Sequence, residues 1–119
     1  MRRVLIVDDD TTALAYMTAK MEQAGFQVTA LSRGSEVIAA VEELAPDLVL
    51  LDLEMPDMHG LEVLRRIKED GNTRSTSVVV LSAHHSEANV TLAKSLGATD
   101  FIIKPFLAGD FASHLRKIL

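Results

Sequence analysis

The sequence predicts an α/β fold, an open parallel sheet covered by helices on both faces, and three observations carry that prediction. Short apolar runs begin at Val4, Val28, Leu48, Val78 and Phe101. Helical patterns lie between them, so strand and helix alternate along the chain. Each strand-to-strand interval leaves room for one right-handed crossover helix, which makes neighbouring strands parallel. Four of the runs, Val4–Val7, Leu48–Leu51, Val78–Leu81 and Phe101–Ile103, stop directly on polar, potentially reactive residues: Asp8 with Asp9, Asp52, Ser82 and Lys104. In a parallel sheet these residues share the carboxyl edge, where open α/β sheets bind their ligands.

In the first helix Leu14, Met17, Met21 and Ala24 fall on one face, and Gly25 is the stop. Val37, Ile38, Val41 and Leu44 repeat the pattern before Pro46, and Leu61, Leu64 and Ile67 do so before Gly71. The polar stretch Asp70 to Ser77 reads as the longest loop. A fourth helix spans Ser86 to Leu96, ended by Gly97, with a thin apolar face of Ala88, Leu92, Ala93 and Leu96. A fifth carries Phe111, Leu115 and Ile118.

With 119 residues the chain fits one domain, 1–119, and no second. A content of 48% hydrophobic and 24% charged residues excludes disorder and fibrous repeats. The apolar runs are too short to cross a bilayer, and the one after Arg2 and Arg3 meets aspartates too soon for a secretory signal. A cytoplasmic location and no membrane partner are therefore expected. The lack of cysteine excludes disulfides and thiolate metal sites. A net charge of -5 argues against direct nucleic-acid binding by this domain.

Asp8, Asp9 and Asp52 crowd if their strands are neighbours, since two unit charges about 4 Å apart repel by roughly 4 kcal/mol at an effective dielectric of about 20. A hard cation such as Mg²⁺, held by carboxylates with waters and a phosphate oxygen, resolves the crowding. The alternative is that Asp8 to Asp10 only cap the next helix, a role best suited to Asp10. Asp52, rigidly held and open to solvent, suits a nucleophile toward phosphorus. Ser82 is placed to donate to the phosphoryl group, with small Ala83 leaving access, and Lys104 to supply positive charge. Taken singly, Ser82 could be a plain strand-end hydroxyl and Lys104 a solvated lysine.

Asp8-Asp9, Asp52 with Met55-Pro56 and Gly60, Ser82-Ala83, and Lys104-Pro105-Phe106 together resemble the receiver domain of two-component response regulators (CheY-like) over the whole chain. The resemblance implies a doubly wound, flavodoxin-like sheet of order 2-1-3-4-5. It implies that Asp52 accepts a phosphoryl group from a histidine kinase or histidine phosphotransfer protein with Mg²⁺, Mn²⁺ being a possible substitute. Asp9 and Asp52 would ligate the metal directly, Asp8 partly through water, and the backbone carbonyl of Glu54 would complete the set. Ser82 and Lys104 would hold the phosphoryl oxygens, and Lys104-Pro105 is a candidate cis peptide. Phe101 matches the family's switch aromatic, turning inward as Ser82 moves toward the phosphate, although a plain core phenylalanine explains it equally.

Many relatives have threonine at Ser82 and tyrosine at Phe101. Serine keeps the hydroxyl, whereas phenylalanine lacks the polar tip. Glu54 and His84, each two residues beyond a site residue, are expected to flank the attacking water and tune acyl-phosphate lifetime. His84 and His85 read as solvated loop histidines, and His59 and His114 as isolated ones.

Output would pass through the last two helices and last strand to an output domain or partner protein, or into a phosphorylation-dependent homodimer. The chain would act on itself alone, not as an enzyme. It is expected to be either a stand-alone regulator or part of a longer protein, the latter favoured because nothing in it resembles an effector. Two other readings compete. A haloacid-dehalogenase-like phosphatase would use Asp52 as nucleophile and Glu54 as acid, but that pattern wants Asp at the second position and a cap domain. A degenerate receiver would serve only as an interaction module, yet every acceptor-site residue is present.

Overall fold

The computed structural model describes residues 2–83 and 86–104. Its elements alternate in chain order: β1 (Arg3–Val7), α1 (Thr11–Gln23), β2 (Gln27–Leu31), a 3-10 turn (Gly34–Glu36) leading into α2 (Val37–Leu44), β3 (Leu48–Asp52), α3 (Gly60–Glu69), β4 (Ser77–Ser82), α4 (Glu87–Ser95) and β5 (Asp100–Ile103). All four strand pairings are parallel and the order is β2-β1-β3-β4-β5, as the resemblance implied. The fifth helix expected around Phe111, and the Lys104-Pro105 peptide, lie outside the described residues.

Strand alternation divides the core in two. Leu5, Val7, Val49, Leu51, Val78 and Val80 pack on one face with Val37 and Val41 of α2, Val63, Leu64 and Ile67 of α3, and Ala93 of α4. Val4, Ile6, Leu48, Leu50, Val79 and Leu81 pack on the other with Met17 and Met21 of α1 and Phe26. The central strand β3 is buried from end to end, which accounts for the unbroken apolar run Leu48–Leu51 before Asp52. The apolar face expected on α4 is thinner still in the fold: Ala93 is buried, whereas Leu92 is 46% exposed.

Local signals place the helix ends. Asp10 caps α1, its carboxylate accepting from the backbone N–H groups of Thr12 and Ala13, and the Ser86 hydroxyl accepts from Asn89 N–H at the start of α4. Gly25 and Gly97, at φ +95° and +105°, lie just past α1 and α4. The polar loop after α3 is stitched down, since buried Thr73 donates its hydroxyl to the carbonyl of Ile67 and Lys68 donates to the carbonyls of Arg74 and Thr76. The end of α2 is less favourable: Ala45 takes the left-handed conformation at φ 45°, where its Cβ is penalised.

Ala45→Gly is therefore expected to stabilise the fold by about 0.5–1 kcal/mol, the relief of the left-handed strain exceeding the added chain entropy. Equilibrium urea unfolding measures this, and a variant less stable than wild type refutes it.

Candidate functional site

Register assembles the site. β1 and β3 pair Val7 with Leu51, so Asp8 and Asp52 come next, side by side. Both continue the alternation of Val4, Ile6, Leu48 and Leu50, the residues packed on α1. Lys104 follows Ile102 with the same parity. Ser82 has the parity of Val78 and Val80 and so belongs to the opposite face.

The Lys104 ammonium donates to Asp8 Oδ2 at 2.5 Å and lies 3.5 Å from Asp52 Oδ1. Lysine reach brings it there across the ends of β4 and β3. Asp8 is fully buried, and its Oδ1 accepts from Asp10 N–H at 3.0 Å. The aspartate run thus divides its roles: Asp10 caps, Asp8 meets Lys104, and Asp9 stands exposed. Asp8, Asp9 and Asp52 each offer an oxygen within 4.8 Å of the others. This all-oxygen, partly accessible donor set fits a hard divalent cation such as Mg²⁺ or Mn²⁺.

Asp52 departs from expectation. It is only 4% exposed, not open to solvent, because the buried central strand runs through it. Burial, and then the charge of Asp8, push its pKa up to about 7; Lys104 opposes this, while a hydrogen bond with Asp9 and the charge of Glu54 add to it. Burial also works against the charge on Lys104, but its hydrogen bond to Asp8 and the charges of Asp52 and Asp8 leave its pKa above the ordinary lysine value.

Ser82 is buried and donates its hydroxyl to Glu54 Oε1 at 2.5 Å. Glu54 therefore stands at the site, joined to the residue expected to read the phosphate. Phe101 pairs in register with Val80, shares the face of Ser82 and packs, half-buried, against the α2 to α4 core. His84 lies outside the described residues.

Three supporting residues escaped the sequence reading in whole or part. Asp57 accepts from the backbone N–H groups of Gly34 (3.1 Å) and Ser35 (3.0 Å), tying the loop after β3 to the turn that starts α2. The Ser35 amide, with that of Gly34, holds the Asp57 carboxyl below its usual pKa despite some opposing desolvation. His59, expected as an isolated histidine, instead caps α3 by accepting from Leu61 N–H through Nδ1. Gly60 allows α3 to start directly against β3, where a Cβ would clash with the Asp52 carbonyl and lie 2.7 Å from Leu53 Cα. An Asp two residues before His-Gly was the available signal for Asp57, but its partners are more than twenty residues away in sequence.

Comparison with known proteins agrees with this geometry. The response regulator receiver domain family matches residues 4–116. The chain belongs to that family. Receivers are domains of two-component signalling. The DNA-binding response regulator MtrA of Mycolicibacterium smegmatis is 36% identical over 118 residues, covering 99% of this chain and 50% of that protein. This receiver thus spans about half the length of such relatives. Among solved structures, the chemotaxis protein CheY4 of Vibrio cholerae superposes with a TM-score of 0.93 at 26% identity, covering 100% of this chain and 99% of that one. The BeF3-activated DrrB receiver domain does so with a TM-score of 0.88 at 29% identity, covering 99% and 97%.

The raised Asp52 pKa has a definite sign in stability. The folded carboxyl titrates near 7 and the unfolded one near 3.8, so between these values the folded chain holds the extra proton and stability falls as pH rises. Asp52→Asn, studied in EDTA, is expected to be more stable than wild type at pH 8, with the gap narrowing toward pH 5. Denaturant melts at both pH values test this, and a gap independent of pH would exclude it.

Proposed function

We propose that this receiver is a phosphorylation-activated switch. Asp52 accepts a phosphoryl group from a histidine kinase or histidine phosphotransfer protein in a Mg²⁺-dependent reaction, for which Mn²⁺ can substitute. The observation that carries this reading is the Lys104 ammonium bridging Asp8 and Asp52 beside exposed Asp9.

One carboxylate oxygen of Asp52 attacks phosphorus, an O–P bond forms, and the donor's N–P bond breaks, with the electron pair leaving on the donor imidazole. Asp9, Asp52, the Glu54 carbonyl and, partly through water, Asp8 would hold Mg²⁺, which would supply charge neutralisation for the phosphoryl oxygens and would keep Asp52 ionised. Lys104 contributes a mobile point charge, moving from Asp8 toward the new phosphoryl oxygens. Ser82 donates its hydroxyl to one of them, and the space it leaves admits Phe101. Glu54 and His84 set how fast water reaches the acyl phosphate.

The altered surface of the last strand and last two helices signals to an output domain or partner, or forms a phosphorylation-dependent homodimer. The name and length of MtrA support an effector outside this receiver, and the net charge of -5 disfavours DNA contacts by the receiver itself. No helix among the described residues is long and apolar enough to cross a membrane, which suits the cytoplasmic setting of this reading. The receiver acts on itself only. The phosphatase alternative needs the Glu54 carboxyl as an acid, yet that group accepts the Ser82 hydroxyl. A purely degenerate receiver is disfavoured by the intact set of Asp8, Asp9, Asp52, Ser82 and Lys104.

Incubation with acetyl phosphate and Mg²⁺, followed by intact-mass measurement, is expected to add one phosphoryl group to wild type and none to Asp52→Asn. Equal modification of both proteins, or of neither, overturns the assignment. Glu54→Ala and His84→Ala are expected to change the decay rate of the acyl phosphate by about tenfold, less than a fully positioned general base contributes, because these side chains flank the water's path. Decay followed after donor removal tests this, and unchanged rates in both variants would remove them from the hydrolytic path.

A further inference from the structure

We infer that Glu54 is a resting-state latch on Ser82: its carboxylate holds, before phosphorylation, the hydroxyl proton that a phosphoryl group on Asp52 must capture. This rests on the phosphoacceptor reading and adds to it the identity of the competitor.

A serine hydroxyl has one proton to donate. In the resting fold it points to Glu54 Oε1 at 2.5 Å, from a side chain with no exposed surface. A short O–H···O⁻ bond of this kind is about twice as strong as a neutral one. The other Glu54 oxygen is buried without a hydrogen-bond partner among the described residues, so this carboxylate sits where water cannot solvate it fully and the Ser82 bond helps to hold it. Glu54 lies two residues past the end of β3, outside the sheet ladder, and can leave without breaking strand pairing.

Charge makes the two bonds mutually exclusive. Glu54 already acts on Asp52 as a like charge. Phosphorylation raises the charge there to roughly -2. The same event that offers Ser82 a better acceptor therefore repels the one it has. Glu54 is a positioning residue in this scheme: it touches Ser82, not the phosphoryl group, and biases the receiver toward its resting state.

A double-mutant cycle read by beryllofluoride binding with Mg²⁺, measured by calorimetry, tests the latch. Glu54→Ala is expected to tighten beryllofluoride binding about tenfold in the wild-type background, the size of one charge-assisted hydrogen bond. In the Ser82→Ala background the same change should have a several-fold smaller effect, reflecting relief of repulsion alone. Glu54→Gln should be intermediate, and Ser82→Thr should keep the full coupling. Equal effects of Glu54→Ala in both backgrounds overturn the latch. Side-chain NMR of the unliganded protein gives an independent reading: Ser82 should hold one χ1 rotamer in wild type and average over rotamers in Glu54→Ala. An unchanged rotamer distribution overturns the latch. Failure of wild type to bind beryllofluoride would instead refute the phosphoacceptor reading, with the NMR result still deciding the latch.

Discussion

Two parallel neighbours, β1 and β3, end in register, and this places the carboxylates of Asp8 and Asp52 side by side at a buried sheet edge with Asp9 beside them. Neither Asp8 nor Asp52 can retreat, because the residues before each are locked into the two cores. Much of the site is a response to this concentration of negative charge. Lys104 is drawn across from β5 to Asp8, and its proximity to Asp52 only partly offsets the burial and repulsion that raise that carboxyl's pKa. A divalent cation would balance the negative charge that Lys104 alone leaves uncompensated.

Strand parity then separates the residues proposed for chemistry from those proposed for readout. Asp8, Asp52 and Lys104 continue the face packed on α1, whereas Ser82 and Phe101 belong to the face packed on α2 to α4. Glu54, just beyond β3, joins the two by accepting the Ser82 hydroxyl while acting electrostatically on Asp52. The same loop is moored at Asp57 to the amides that begin α2. Asp52 is thus one electrostatic contact, through Glu54, from a group attached to the opposite face.

Much of this was legible along the chain because parallel strands in an α/β fold write themselves as short apolar runs. Asp8, Asp52, Ser82 and Lys104 could be picked out by their place after those runs, and Asp10 by its place before a helix. The burial of Asp52 was not legible: a residue at a strand's end reads as accessible until the neighbouring strands are in place. Asp57 was missed because its backbone-amide partners are distant in sequence, and His59 because histidine is not among the usual helix-capping residues. The exposure of Leu92 was hidden for a related reason, since helical periodicity marks an apolar face without saying what covers it.

The sequence by itself determined the alternation of strands and helices, the limits of α1 and α4 and the identity of the residues gathered at the carboxyl edge, because periodicity, caps and turns are local. Only the tertiary structure decided which charges touch: that Lys104 rests on Asp8, that Ser82 is held by Glu54, and that Asp52 is buried enough to titrate near neutrality. Those outcomes depend on strand order, on the face each residue takes and on the local dielectric, and these exist only once strands distant in sequence have paired.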